Sequence, residues 1–481
     1  MQDCHHQIAF MNKTLIAVLL TLLISTIGWA QISELEKIAM PVLYIETVDG
    51  VMPTCTVVHA PEGCIGTSIT DNQYVPGRMV MKIKGDTLYD TKEYVKDTSG
   101  MRIKIRGNST GANLNQHPYK IKLSKKYDLL ERQDAGYKHK EWLLLSMYTW
   151  NPTMTNQESN ILHMAGLAVS RIFHKEWTPE YRLVQVMLNG AYQGMYYLME
   201  AVARGDKRIP LTKDGFLIEN DPFWWNEDAY FRTHYQPYSY AYTYKYPDSD
   251  DVTEEVQNNI LSYLNSAENA IYQSNNIEAY LDMESFARWI LIHDFLGTDD
   301  AAGCNRFLSR YDNTSLLQMG PTWDYDSAFK CEGWSNLHYY ESFYYPELFK
   351  NDDFVAQYTG IWKTVRPTIY EAIDAELDAA WNLYADVFDA GMKIHQTKYT
   401  YEGQLGFQAQ IEEVRNKLYE RVGIMNQLME QNYQVSGIQT LRQQEEGRQH
   451  IVSDLQGRKR QVSQLQTTKN IYILNGKKYI Q

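Results

Sequence analysis

The chain has 481 residues, with 46 Lys and Arg against 59 Asp and Glu, and a net charge of -13. That length predicts two or three structural units rather than one, and the acidic balance argues against a nucleic-acid binder that works by neutralising phosphates. Hydrophobic content of 44% and charged content of 22% are those of a soluble globular protein, but 37 tyrosines and 11 tryptophans are an excess, which suits cores, half-buried strands and surfaces that meet sugars, peptides or nucleotide rings.

At the N-terminus, Lys13 precedes the apolar run 15–24, and Gly28-Trp29-Ala30 supplies small residues where a signal peptidase cuts. This predicts translation from Met11, export, and cleavage after Ala30, so that residues 1–30 are a signal peptide. No other run of about 18 apolar residues follows, so no membrane span is expected in the mature chain, and no cysteine follows the cleavage site to carry a lipid. Four cysteines remain: Cys55, Cys64, Cys304 and Cys331. An even number in an exported chain permits two disulfides, and the short loop favours a Cys55–Cys64 bridge. Cys304 and Cys331 are either a second bridge tying two acid-rich loops or buried thiols. None has the spacing of a zinc site.

Residues 31–100 read as a small β unit, with short apolar or alternating strands at 42–47, 57–58 and 79–83. Residues 101–106 alternate cleanly and end in the small-residue stretch 107–113, after which 119–123 alternate again. Strand, small-residue loop, strand carrying a lysine is a geometry that lays backbone amides over phosphates and sends an ammonium towards them; a flexible hairpin with a solvated lysine has the same pattern. Residues 142–146 predict a buried strand, and 156–173 a helix with Ile161, Leu162, Ala165, Leu167, Ala168 and Ile172 at helical spacing. Asn156, Glu158 and Asn160 near its start suit capping, with a catalytic role for Glu158 as the alternative. Residues 181–188 and 194–200 flank Asn189-Gly190, the strongest hairpin signal in the chain. A strand at 215–219 precedes a Tyr/Trp-rich insertion, 223–246, which lacks periodicity and suits a lid or a substrate-facing loop.

From residue 252 the pattern is helical: Ile260, Leu261, Leu264 and Ala267 share one face, and 283–295 is a second helix. It leads into two acid groups, Asp299-Asp300 and Asp324-Tyr325-Asp326, separated by apolar pieces (Phe307, Leu308; Leu316, Leu317, Met319) around the turn Asp312-Asn313. A hairpin there brings both acid groups to one edge. Asp300 and Asn305 have the spacing that phosphoryl transfer uses, a carboxylate for the attacking hydroxyl and an amide oxygen for a divalent cation, with Asp324-Tyr325-Asp326 supplying the second metal carboxylate. A turn rich in capping acids has the same composition. Beyond the aromatic loop 334–349 the chain is largely helical to residue 433, with Ile411, Val414, Leu418, Val422, Met425 and Leu428 spaced by three or four. Strand and turn pieces at 451–458 and 470–479 predict a small C-terminal β module over 434–481.

Taken in order, RIKIRGNST, PYKIKL, WLLLSMY, LNGAYQGMYYLME, GFLIEND, DDAAGCNRF and GPTWDYDSAF resemble the spore-coat protein H (CotH) kinase family over roughly residues 101–433. The resemblance implies an α+β chain whose 101–433 segment has an atypical protein-kinase-like, two-lobed fold. It also implies ATP binding with Mg or Mn, and phosphorylation of Ser or Thr on exported or surface proteins. Carried over by position, Gly107, Asn108 and Ser109 lie near the phosphates with Arg106 beside them, and Lys122, or less favourably Lys120, pairs with them. Asp300 is the catalytic carboxylate, and Asn305, Asp324 and Asp326 are metal ligands. Glu200 ends a strand in the part resembling the nucleotide-binding hinge, with a solvated strand end as the favoured reading. Lys330 stands where the family commonly has Gly, and the Glu158 helix offers no clear partner for the lysine. An inactive kinase-like scaffold, or a glycan- or protein-binding surface protein, is therefore the alternative. The tail, DLQGRK followed by KNIYILNGKKYIQ, resembles C-terminal sorting segments of exported Bacteroidetes proteins and implies secretion or attachment at the cell surface; an ordinary edge hairpin is the other reading.

Overall fold

Side chains on successive residues of a strand point to opposite faces, and in the first half of this chain that alternation closes a sheet on itself. A computed structural model of the protein describes residues 33–147, 160–173, 177–237, 239–298, 300–330, 343–399 and 405–434, with short strands at 451–453, 459–461, 471–474 and 477–480. The first ten strands are β1 (Val42–Thr47), β2 (Thr56–His59), β3 (Thr67–Thr70), β4 (Val75–Ile83), β5 (Asp86–Asp90), β6 (Met101–Ile105), β7 (Tyr119–Tyr127), β8 (His139–Ser146), β9 (Tyr181–Leu188) and β10 (Ala191–Glu200). The hydrogen-bonded order is β1-β9-β10-β8-β7-β6-β4, and β4 returns to β1, so seven strands form a closed barrel with β5 on its flank. Only β1 and β9 run parallel. Closure removes the exposed edges that an open sheet would present. Ile45, Met79, Ile103, Ile121, Trp142, Leu144, Val186 and Leu198 fill the interior.

The boundary at residue 100, between the expected β unit and the segment that resembles the kinase family, falls between β4 and β6, which are hydrogen-bonded neighbours. The Asn189-Gly190 hairpin forms, with both residues at positive φ. The expected Cys55–Cys64 bridge does not: both are free thiols. Cys55 sits at the open end of the β2–β3 ladder and Cys64 in its loop, roughly 13 Å apart along a four-residue strand, too far for a disulfide. Cys304 is also a free thiol, and Cys331 lies outside the described residues.

A second sheet holds β11 (Phe216–Asp221), β12 (Tyr230–Phe231), β13 (Ala241–Tyr246), β14 (Arg306–Arg310) and β15 (Leu317–Met319), in the order β12-β13-β11-β14-β15. The Tyr/Trp-rich insertion, read as a lid or loop, thus contributes two strands. The helices are α1 (Ser109–Asn113), α2 (Leu162–Phe173), α3 (Glu254–Tyr272), α4 (Met283–Leu296), α5 (Tyr345–Leu348), α6 (Asp352–Val365), α7 (Ile369–Tyr384), α8 (Phe388–His395) and α9 (Phe407–Tyr433). Their apolar faces and the outward side chains Leu143, Leu145, Met195 and Tyr197 of the barrel share one large core around Trp289 and Trp362. The strands Ile451–Ser453, Lys459–Gln461, Ile471–Leu474 and Lys477–Ile480 make a four-stranded antiparallel sheet of their own. Among the described residues no helix is long and apolar enough to cross a membrane.

Candidate active site

The C-terminus of α4 sets the position of the acid-rich loops. Arg421 of α9 donates to the carbonyls of Asp294 (2.5 Å) and Phe295 (3.0 Å), satisfying two groups that the helix end leaves open. Gly297 caps the helix at φ 60°, where its lack of a Cβ removes the steric penalty. The Phe329 N–H then donates to Leu296 O at 2.7 Å, and the Asp300 N–H to Ser327 Oγ at 3.4 Å. Between these loops the β14–β15 hairpin forms as read, with Asp312 accepting from the backbone of Thr314 and Ser315 in the turn. Asp299 lies outside the described residues.

Tyr325 anchors the second acid group. Its ring lies flat on Gly166 of α2, where any Cβ would overlap it, and its hydroxyl bonds to Ser170. The flanking carboxylates of Asp324 and Asp326 line a narrow cleft with Arg106, Thr110, His163 and Trp323. Asp324 and Asn305 both sit near φ 60°, a left-handed conformation that Asp and Asn tolerate better than other side chains. Burial raises the Asp324 carboxyl, Arg106 pulls it back and Glu219 pushes it up again. Burial also disfavours the Arg106 charge, and Asp324 and Glu219 oppose that effect. His163, buried and beside Arg106, is lowered to about 4 and is neutral at pH 7. The Cys304 thiol is pushed well above its ordinary value, first by burial and then by Asp300 and Asp324. The charges of both acid loops are therefore felt at one thiol, whose Sγ donates to the Asp300 carbonyl at 3.3 Å.

The outer face of the barrel supplies the opposing charge. Lys104 and Lys120 lie directly opposite each other in the β6–β7 ladder, a like-charge pairing that is unfavourable by itself. Glu141 of β8 offsets it, with Lys120 at 3.0 Å and Lys122 at 3.5 Å. Burial would raise Glu141, yet Lys120 and Lys122 hold it down at about 2. The Lys104 charge is disfavoured by burial and then by Lys120, against the help of Glu227 and Glu141. Across from this face, Glu219 of β11 pairs with Lys245 at 3.0 Å, and Asp221 is raised to about 7 by burial and then by Glu219.

Placed one by one, the candidates from the sequence divide. Gly107, at φ 90°, lies where a Cβ would strike the Thr110 hydroxyl. Asn108 accepts from Ser68 at 2.8 Å, and Ser109 opens α1, so the stretch expected as a loop contains one turn of helix. Arg106, Asp324 and Asp326 meet in the narrow cleft, with Asp300 tied to the same turn. Lys122 lies opposite Arg102, two pairs further from the Gly107 turn than Lys120. Lys330 is exposed, and Glu158 lies outside the described residues. Glu200 is not a solvated strand end: it is fully buried, with Arg132 at 2.6 Å, the Trp177 indole at 3.0 Å and the Glu180 N–H at 3.1 Å. The segments carrying Arg132 and Arg208 wrap the end of β10, and Glu200 lines a cavity of about 740 Å³ with them, apart from the acid loops.

The family model for CotH kinase proteins matches residues 103–434, from within β6 to the end of α9. The chain belongs to the CotH kinase family. Comparison with curated proteins gives no match. In this CotH-family chain the sequence reading missed His163, Glu219, Asp221, Lys245 and Glu141. The strand GFLIEND did carry a signal, because Glu219 and Asp221 are two apart and must share a face. Nothing local marks His163 or Glu141, whose partners come from other elements.

Proposed function

We propose that this CotH-family protein is an ATP-dependent kinase that transfers the γ-phosphoryl group to Ser or Thr of exported or surface proteins, with Mg²⁺ or Mn²⁺. The observation that supports this reading is the direct tie between the two acid loops, the Asp300 N–H on Ser327 Oγ, which holds the loop of Asp300 beside the turn that carries Asp324 and Asp326. Asp300 accepts the proton of the attacking hydroxyl and aims its oxygen. Arg106 and the Gly107-Asn108-Ser109 turn face the phosphates, and Lys120, rather than Lys122, adds the ammonium. In this reading the barrel is one lobe over the nucleotide, and the second sheet with its helices is the other.

Asp324 fits a cation site: a buried carboxyl raised by burial gains from positive charge beside it. Among the described residues no three His, Cys, Asp or Glu side chains form a cation cluster by themselves. Mg²⁺ held by one or two carboxylates needs none, because phosphate oxygens and water complete its shell. Asp324, Asp326 and Asn305 would hold it, and when bound it neutralises charge on the phosphates. Since positioning and charge neutralisation supply most of the rate in phosphoryl transfer, two displaced carboxylates suffice to stop it.

The test is a thermal-shift titration with ATP and Mg²⁺, followed by labelled ATP with a panel of exported proteins. Stabilisation and label transfer that vanish in Asp324→Asn and Asp300→Asn respectively support the kinase. No ATP-dependent stabilisation of the wild-type protein refutes it. Export with cleavage after Ala30 belongs to the same proposal, and N-terminal sequencing of the mature protein checks it.

A further inference from the structure

On the face of β11 away from Glu219 and Asp221, a cavity of about 290 Å³ opens beside Asn220, at the small end of the range for ligand pockets. Its walls are aromatic: Tyr235, Tyr240, Tyr242, Tyr272, Phe343 and Tyr344. They are fixed in place without a ligand. Tyr235 stacks on Tyr272 at 4.2 Å. A hydroxyl chain runs from Tyr242 to Tyr344 (2.6 Å), from Tyr344 to Glu268 Oε1 (2.6 Å), and from Thr233 to the same oxygen (2.7 Å). Packing explains these rings, but it does not explain the polar atoms left among them.

Gln236 buries both amide atoms without a hydrogen-bond partner among the described residues, and Arg306 at Nε and Glu268 at Oε2 lack one at full hydrogen-bond geometry, with Tyr240 beside the guanidinium and the Tyr235 N–H beside the carboxylate. Arg306 is 2% exposed and Glu268 1%. Leaving such groups unpaired costs about 1–3 kcal/mol each, so a fold that keeps several in one cavity gains from a ligand that pairs them. That ligand must donate to Glu268 and to the Gln236 oxygen, and accept from Arg306 and the Gln236 nitrogen. It must also present a flat apolar face to tyrosine rings. A cation would meet the Arg306 guanidinium, which lies over Tyr240 and Phe343; an anion would meet the Glu268 carboxylate; an aliphatic chain would pair nothing. A sugar ring satisfies every condition, since its hydroxyls both donate and accept and its C–H face packs on aromatic rings.

We propose that this cavity binds one neutral pyranose unit of a glycan. The site is distinct from the charged cleft and does not depend on phosphoryl transfer. It is nonetheless a neighbour, because Arg306 donates to the carbonyl of Gly303 at 3.3 Å and Tyr240 stands against the same glycine, within the loop that carries Asp300.

Saturation-transfer NMR on the full chain, with methyl glycosides of glucose, galactose, mannose and N-acetylglucosamine, tests the proposal. The expected result is transfer to the ring protons of at least one sugar, weakened about tenfold in Gln236→Leu by the loss of two hydrogen bonds. Gln236 is on a loop, and thermal melts establish that the variant folds; Tyr235→Ala, which removes one wall, is the second variant and also loses the signal. Absence of transfer from all four sugars overturns the proposal, as does transfer that survives both substitutions. Displacement of the sugar by adenosine or N-acetyltyrosinamide at lower concentration overturns it as well, assigning the cavity to a nucleobase or an aromatic side chain.

Discussion

Glu219 and Asp221 leave one face of β11 for a cluster of charges, while Asn220, between them, leaves the other for an aromatic cavity. The charged face is assembled from distant pieces: Arg106 from just after β6, Asp324 from the turn after β15, Lys245 from β13. Burying a carboxylate is unfavourable unless an opposite charge comes with it, so no one of these residues is stable there without the others. The aromatic face is assembled mainly from the insertion after β11, α3 and the segment at 343–344, and its rings need a partner only at their hydroxyls. The two faces teach that a cluster of charges demands convergence of the whole fold, whereas aromatic walls ask for neighbours of suitable shape and a partner for each hydroxyl.

The contrast can be broken most sharply at the charged face. Asp324→Asn and Asp300→Asn are each expected to lower the rate of phosphoryl transfer by about a thousandfold or more, with circular dichroism unchanged; a loss under tenfold in either would remove that residue from the chemistry. Gly166→Val, which drives a side chain into the Tyr325 ring, is expected to destabilise the fold by about 2–3 kcal/mol in urea melts, and to lower activity because Asp324 and Asp326 move with Tyr325.

Asp221 sharpens the comparison through pH. Its carboxyl is raised to about 7 by burial and Glu219, against about 4 in an unfolded chain. The folded state therefore holds a proton that the unfolded state has lost between those values, and this group's contribution to stability falls as pH rises from about 4 to about 7. Asp221→Asn should remove that fall, on the order of 4 kcal/mol, and comparison of the two proteins' melts across this range reads it directly. The smallest effect is expected at Lys122, about one-third exposed and sharing Glu141 with Lys120. Lys122→Met should cost about 0.5 kcal/mol or less and weaken ATP-dependent stabilisation less than Lys120→Met does; the reverse order would return the phosphate role to Lys122.

Much of this is legible in local pattern. The alternation of RIKIR and YKIKL gives β6 and β7, Asn189-Gly190 gives the β9–β10 turn, and the apolar pieces around Asp312-Asn313 give the β14–β15 hairpin that joins the acid loops. The insertion at 223–246 was not legible as strands, because β12 is two residues long and β13 has its partner, β11, in an earlier segment. The Cys55–Cys64 pairing read from loop length gives way to the β2–β3 ladder, which holds the two cysteines at opposite ends. Glu200 reads as a strand end in solvent, and only the chain that returns over it, with Arg132 and Arg208, buries it.

By itself the sequence determined most strands and helices outside the 109–113 turn and the 223–246 insertion, the Asn189-Gly190 turn, and that two acid groups flank one hairpin, since each of these rests on the spacing of a few neighbouring residues. Tertiary structure alone decided that the strands close into a barrel, that Arg106 faces Asp324, and that Glu141 takes both Lys120 and Lys122 as partners. Those outcomes depend on the register between strands far apart in the chain and on the desolvation of charges by elements that no local pattern names.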